Sequence, residues 1–182
     1  MSLDTWLLFA STALVVILIP GPLSLLMVSN SLNYGLRRSV PAFIGGVLAS
    51  ICLLSASALG LGALLLASEQ LFSVLKLLGA LYLFYLAWQS WQASRQTVKP
   101  VVADEQPVNP SYRGMFWKAF GLGASNPKDI LFFAALLPQF LSAERSLLNQ
   151  LLVMIVTWAV LDLACKLLYA LSAQGAARYL RS

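Results

Sequence analysis

The chain of 182 residues has no histidine and only two cysteines. Without histidine there is no imidazole general base, no His-ligated metal and no axial-His haem. Cys52 and Cys165 stand alone in apolar stretches and no CxxC occurs, which argues against a thiol redox centre or a cysteine zinc site. Charge is scarce as well. Only 10% of the residues are charged, where a soluble domain carries ~25%. The hydrophobic share is 59% and the mean hydropathy +0.79, more apolar surface than one soluble core of this size can hide. Soluble α/β enzyme classes therefore drop out. A basic leader is also lacking: the N-terminus carries Asp4, and the apolar run after it reads as an uncleaved first span.

What is present is long uncharged sequence. Asp4 and Arg37 bracket 32 uncharged residues, and Arg38 and Glu69 bracket 30 more, against roughly 20 needed to cross a bilayer core as a helix. Continuous runs of this kind favour helices over barrel strands, which would alternate. The sequence predicts an all-α polytopic membrane protein with five visible transmembrane helices, near 5–28, 40–67, 71–91, 114–140 and 147–171. Residues 1–91 form a first repeat of three helices, 92–113 a Pro-bearing polar linker, and 114–182 a second repeat of two. Seven basic residues (Arg37, Arg38, Arg95, Lys99, Arg113, Arg178 and Arg181) fall on one side and Arg145 on the other. The net charge of +5 is thus loop bias rather than a nucleic-acid signal. It predicts the N-terminus outside, and the linker and tail inside. Residues 114–182 number 69 against 88 for residues 4–91, a deficit of 19, about one span. Transporters are often built from inverted repeats, so the expected architecture is a 3+3 inverted-repeat transporter lacking its sixth span, with a face of span four or five left unpacked.

Two sites break the helical pattern inside spans. Pro20-Gly21-Pro22 interrupts the first: each proline removes a donor and Gly21 frees the backbone, leaving carbonyls near residues 16–18 without helical partners. Such backbone is tolerated in a membrane only where protein or a wet cavity receives it. Asn126-Pro127-Lys128-Asp129 interrupts the fourth. It reads as a helix stop and restart, with Pro127 in the new first turn and Asn126 as its cap. Lys128 and Asp129 lie near mid-span, where ionisable residues are costly and usually functional, although the two could simply neutralise each other. The breaks occupy the first spans of the two halves, the arrangement that points to a transporter's central site.

Weaker signals surround these. Lys76 can snorkel outward. Asp162 and Lys166 are spaced as a helical ion pair, and Asp162 is equally a proton site. Ala42, Gly45, Gly46, Ala49 and Ser50 form a small-residue face suited to close helix packing. Trp88 and Trp91 fit an interfacial belt.

The combined order of these residues resembles a known family. The run LVVILIPGPLSLLMVSNSLNYGLRRSV is similar to the first span and loop of the lysine-exporter (LysE/RhtB) family of amino-acid efflux transporters. KLLGALYLFYLAWQSW, with Lys76, Gly79, Tyr82 and Leu83, resembles its third span, and Ala87 stands where members often carry glycine. GASNPKDILFFAALLPQF resembles its fourth span and DLACKLLYALSA the end of its fifth. The resemblance implies export of amino acids or related small metabolites across the bacterial cytoplasmic membrane, driven by the proton gradient, by proteins with six spans.

These readings combine into one expected mechanism. Pro20, Gly21, Pro22, Asn126, Pro127 and Lys128 form the substrate site. The restarted helices and Lys128 receive the carboxylate, carbonyls near residues 17–19 receive the ammonium, and Asp129 or Asp162 carries the proton. The expected partners are an amino acid, protons and membrane lipid, with no nucleic acid, cofactor or metal; a homo-oligomer is compatible with this. Three rivals are an intramembrane enzyme, for which the carboxylates are too scattered, a metal-ion transporter, and a non-transporting assembly or regulatory membrane protein.

Overall fold

The computed structural model describes residues 1–67, 111–142 and 145–180, with eight single positions between 70 and 92. Most of the third expected span, Lys76 within it, and most of the linker lie outside the described residues. Among the described residues all regular structure is helical: α1 (Leu3–Leu18), α2 (Pro22–Tyr34), α3 (Leu36–Ala67), α4 (Tyr112–Ala124), α5 (Pro127–Leu136), a 3₁₀ turn (Leu137–Phe140) and α6 (Leu147–Leu180). Ser2 caps α1 by accepting from the Thr5 amide. Gly35, at φ 79°, ends α2 and lets α3 begin at the next residue.

α3 over Leu36–Gly60 and α6 over Leu147–Ala177 are each long and apolar enough to cross a membrane. α1 and α2 make a third candidate span if counted together, bent by 61° at the Pro20–Pro22 break. The fourth expected segment is split into helices of 13 and 10 residues, each too short to cross alone.

Two apolar layers hold these helices. In the first, Phe9, Ala13, Val16 and Ile17 of α1 pack with Leu54 and Ala58 of α3, Phe132 and Phe133 of α5, and Met154 and Trp158 of α6. In the second, Leu23, Leu26 and Met27 of α2 pack with Ala42 and Phe43 of α3, Met115 and Ala119 of α4, and Ala170 of α6. The α1–α2 chain therefore passes from the first layer to the second, and the α4–α5 chain passes back. The two broken segments thus run in opposite directions between the layers.

The small-residue face of α3 serves packing. Ala42, Ala49 and Ser50 are buried, and a Cβ built on Gly45 would lie 2.4 Å from the Phe116 carbonyl oxygen of α4. One built on Gly123 would lie 2.8 Å from the Ala49 side chain. Backbones this close require residues without bulk at the contact. The contact places the end of α4, and hence Ser125 and Asn126, beside the break in the first half.

Candidate functional site

The site follows from donors that proline lacks. In an unbroken helix the amide of residue 20 would bond the carbonyl of Val16, and that of residue 22 the carbonyl of Leu18. Both positions are proline, and Gly21 between them is extended (φ −113°, ψ 178°) at the cap of α2. Val16 O keeps a longer bond from the Ile19 amide at 3.3 Å, and side chains from the second half supply the other donors. Lys128 Nζ donates to Val16 O at 3.1 Å and Ile19 O at 2.9 Å. Tyr169 Oη donates to Leu18 O at 2.6 Å. In hydrocarbon each of these carbonyls left bare would cost several kcal/mol.

The second break is built as its sequence predicts. Ser125 ends α4 with its amide on Gly121 O. The Asn126 side chain caps α5 by accepting from the Lys128 amide at 3.2 Å, with Pro127 in the first turn. Its Nδ2 donates to Asp129 Oδ2 at 3.0 Å. One buried amide thus starts the helix and orients a buried carboxylate. On α6, Asp162 and Lys166 form a buried ion pair.

These groups meet in one small polar cavity of about 10 Å³, room for about one water. Ile17, Gly21, Leu23 and Ser24 line it from the first half; Asn126, Lys128, Asp129, Asp162 and Lys166 line it from the second. It lies between the two apolar layers. A wider hollow of about 530 Å³ opens farther along α2 and α6, lined by Ser31, Asn33, Gly35 and Gln174 among others, with Gln174 Nε2 donating to Ser31 O at 2.8 Å.

Of the residues expected at a central site, Gly21, Asn126, Lys128, Asp129 and Asp162 come together. Pro20, Pro22 and Pro127 are exposed and do not line the cavity; their contribution is to remove amide donors and start helices. Lys128 and Asp129 do not pair directly: the ion pair among the described residues is Asp162–Lys166. The carbonyls expected to take a substrate ammonium carry the ammonium of Lys128. Sequence reasoning did not place Lys166, Ser24 or Tyr169 in the site. A usable signal was present for two of them, since Asp162, Lys166 and Tyr169 recur at i, i+4 and i+7 and so share one helix face.

The comparisons with known proteins agree in kind. The family model for LysE type translocators matches residues 14–182. An uncharacterized membrane protein of Vibrio cholerae is 34% identical over 182 residues, covering 100% of this chain and 87% of that protein. A homoserine/homoserine lactone efflux protein of Salmonella typhimurium is 32% identical over 184 residues, covering 100% of this chain and 86% of that protein. The protein of the same description from Salmonella typhi is also 32% identical over 184 residues. No solved structure matches the chain.

Proposed function

The chain belongs to the LysE type translocators of the LysE/RhtB family, and on that premise we propose that it exports small amino acids and their derivatives across the bacterial cytoplasmic membrane by proton antiport. One observation carries the reading: two helix breaks from opposite halves converge on a cavity holding two lysines and two carboxylates. Ionisable groups at membrane depth cost free energy and mark substrate or proton pathways, and paired discontinuous helices characterise transporter sites.

The names of the Salmonella relatives sharpen the substrate class. Homoserine and its lactone share a primary ammonium, but the lactone has no carboxylate. A site that serves both recognises the ammonium first. We assign this recognition to the break in the first half, and proton binding to Asp129 or Asp162. The reading includes five spans in a 3+3 inverted-repeat plan, an N-terminus outside and a linker inside. The wider hollow beside Gln174 then lies toward the cytoplasm and receives substrate.

Counterflow of labelled homoserine in liposomes containing the purified chain tests this. Homoserine should accumulate in the acidic compartment when a pH gradient is imposed, because protons leave that compartment as substrate enters. Counterflow that ignores the gradient would rule out antiport, and no counterflow of any amino acid would rule out the export reading.

A further inference from the structure

We propose that Val16 O and Ile19 O form the seat for the substrate's ammonium, and that Lys128 is a resident ammonium that fills this seat between transport events. The inference deepens the export reading above and rests on it.

The geometry is that of an ammonium site. One Nζ reaches two backbone carbonyls within a single turn, at 3.1 and 2.9 Å. A primary ammonium has three donors and suits such a pair. Lys128 arrives from another broken helix, 112 and 109 positions away in sequence, on a flexible stem that can leave as it came.

The choice of partner is the informative point. A lysine in a low-dielectric interior gains most from a carboxylate. Asp129 is its chain neighbour, and Asp162 lines the same cavity. Lys128 instead serves neutral carbonyls, while Asp129 is engaged by Asn126 and Asp162 by Lys166. The cavity thus offers Lys128 a second, anionic seat across from the first, with Lys166 as the opposing cation. An incoming ammonium can take the carbonyls as Lys128 turns toward Asp129 and Asp162. One ammonium replaces another, so the carbonyls stay paired throughout.

Room makes the exchange necessary. With Lys128 seated, the cavity holds about one water, too little for an amino acid. The seat also discriminates: a quaternary ammonium has no N–H for either carbonyl. Gly21 borders the seat: a Cβ there would stand 3.7 Å from Lys128 Nζ, in ordinary van der Waals contact with it.

The test uses free amines on the whole chain. Lys128→Gly removes the resident side chain, and n-butylammonium reproduces its stem and charge. The thermal midpoint of the variant should rise with butylammonium concentration as a binding curve requires, and n-butanol should give no rise. In the wild-type chain, saturating methylammonium should raise acetylation of Lys128 by acetic anhydride several-fold relative to the exposed Lys118 of the same sample, a ratio that cancels the anhydride consumed by the free amine, read by peptide mass spectrometry, and tetramethylammonium should not. Lack of a butylammonium effect in a folded variant, or unchanged Lys128 reactivity under methylammonium, overturns the proposal. If the variant does not fold, the wild-type labelling decides alone. Butylammonium binding without any homoserine counterflow would overturn the export reading and the substrate's claim on the seat. Counterflow without amine binding would overturn the seat alone.

Discussion

Tyr169 donates its hydroxyl to the carbonyl of Leu18 at 2.6 Å, across 151 positions of sequence. That carbonyl is the one Pro22 deprives of a helical donor, so a tertiary bond replaces one rung of the first broken span. Tyr169→Phe removes the donor and keeps the ring. It should lower stability by about 1 kcal/mol, seen as a reduced thermal midpoint in lipid nanodiscs, with the fold kept. An unchanged midpoint would show that Leu18 finds another donor in the bilayer.

Asn126 has two separable roles. Asn126→Ala loses both, and the lost cap should cost about 1 kcal/mol of stability. Asn126→Ser keeps a capping oxygen but cannot hold Asp129 through a side-chain amide. The serine variant should keep most of the wild-type midpoint and lose most homoserine counterflow. Equal counterflow in the serine variant and wild type would make the Asn126–Asp129 bond merely structural.

Asp162 and Lys166 should behave as a unit. Removing one partner of a buried pair strands a charge and costs about 3–5 kcal/mol, so Asp162→Asn and Lys166→Met should each be strongly destabilised. The double variant should be more stable than either single one. If Asp162 also carries the proton, the double variant will lose acceleration by a pH gradient. A double variant whose loss equals the sum of the two singles would show that the pair is not coupled.

Two glycines of α3 make a matched control. Gly45→Ala places a methyl 2.4 Å from the Phe116 carbonyl oxygen, and overpacking of this kind costs about 1–3 kcal/mol. Gly60→Ala meets nothing within 4 Å and should be neutral or stabilising by up to about 1 kcal/mol. Thermal unfolding of both variants in one detergent reads the difference, and equal midpoints would contradict the close α3–α4 contact.

Orientation is checked by labelling. In a cysteine-free background, a cysteine at Ser142 should react with an impermeant maleimide in intact cells. A cysteine at Ser94 should react only after the cells are opened. Reaction of position 94 from outside would reverse the topology proposed from the basic residues.

The parts of this site that were legible in sequence are those encoded by local chemistry. Two prolines around a glycine announce a break because the donors are missing from the chain itself. Asn126-Pro127 announces a cap for the same reason. The small face of α3 was legible from spacing, although its partner, Phe116 on α4, was not. The destination of long side chains was hidden. Lys128 sits beside Asp129 in sequence, and sequence offered that carboxylate or the substrate as its partner. The carbonyls it serves belong to a helix more than 100 positions away, brought near only by packing. Tyr169 was hidden for a related reason: a tyrosine near the end of an apolar helix usually reads as interfacial. The 61° bend depends on both layers holding their halves of the span, which no local pattern records.

The polar cavity's position between two apolar layers has an electrical consequence. With one layer in each leaflet of the bilayer, both would act as low-dielectric slabs, so the membrane potential would fall across each of them and little of it across the water-sized gap between. Under the proposed antiport, a proton that settled on Asp129 or Asp162 would then have crossed about half of the field. At 100 mV this is about 1.2 kcal/mol of the ~2.3 kcal/mol for a full crossing. The remainder is released only when the proton leaves through the opposite slab. Voltage would therefore act on arrival and departure as two comparable steps, so neither face of the protein alone would set how steeply export responds to membrane potential.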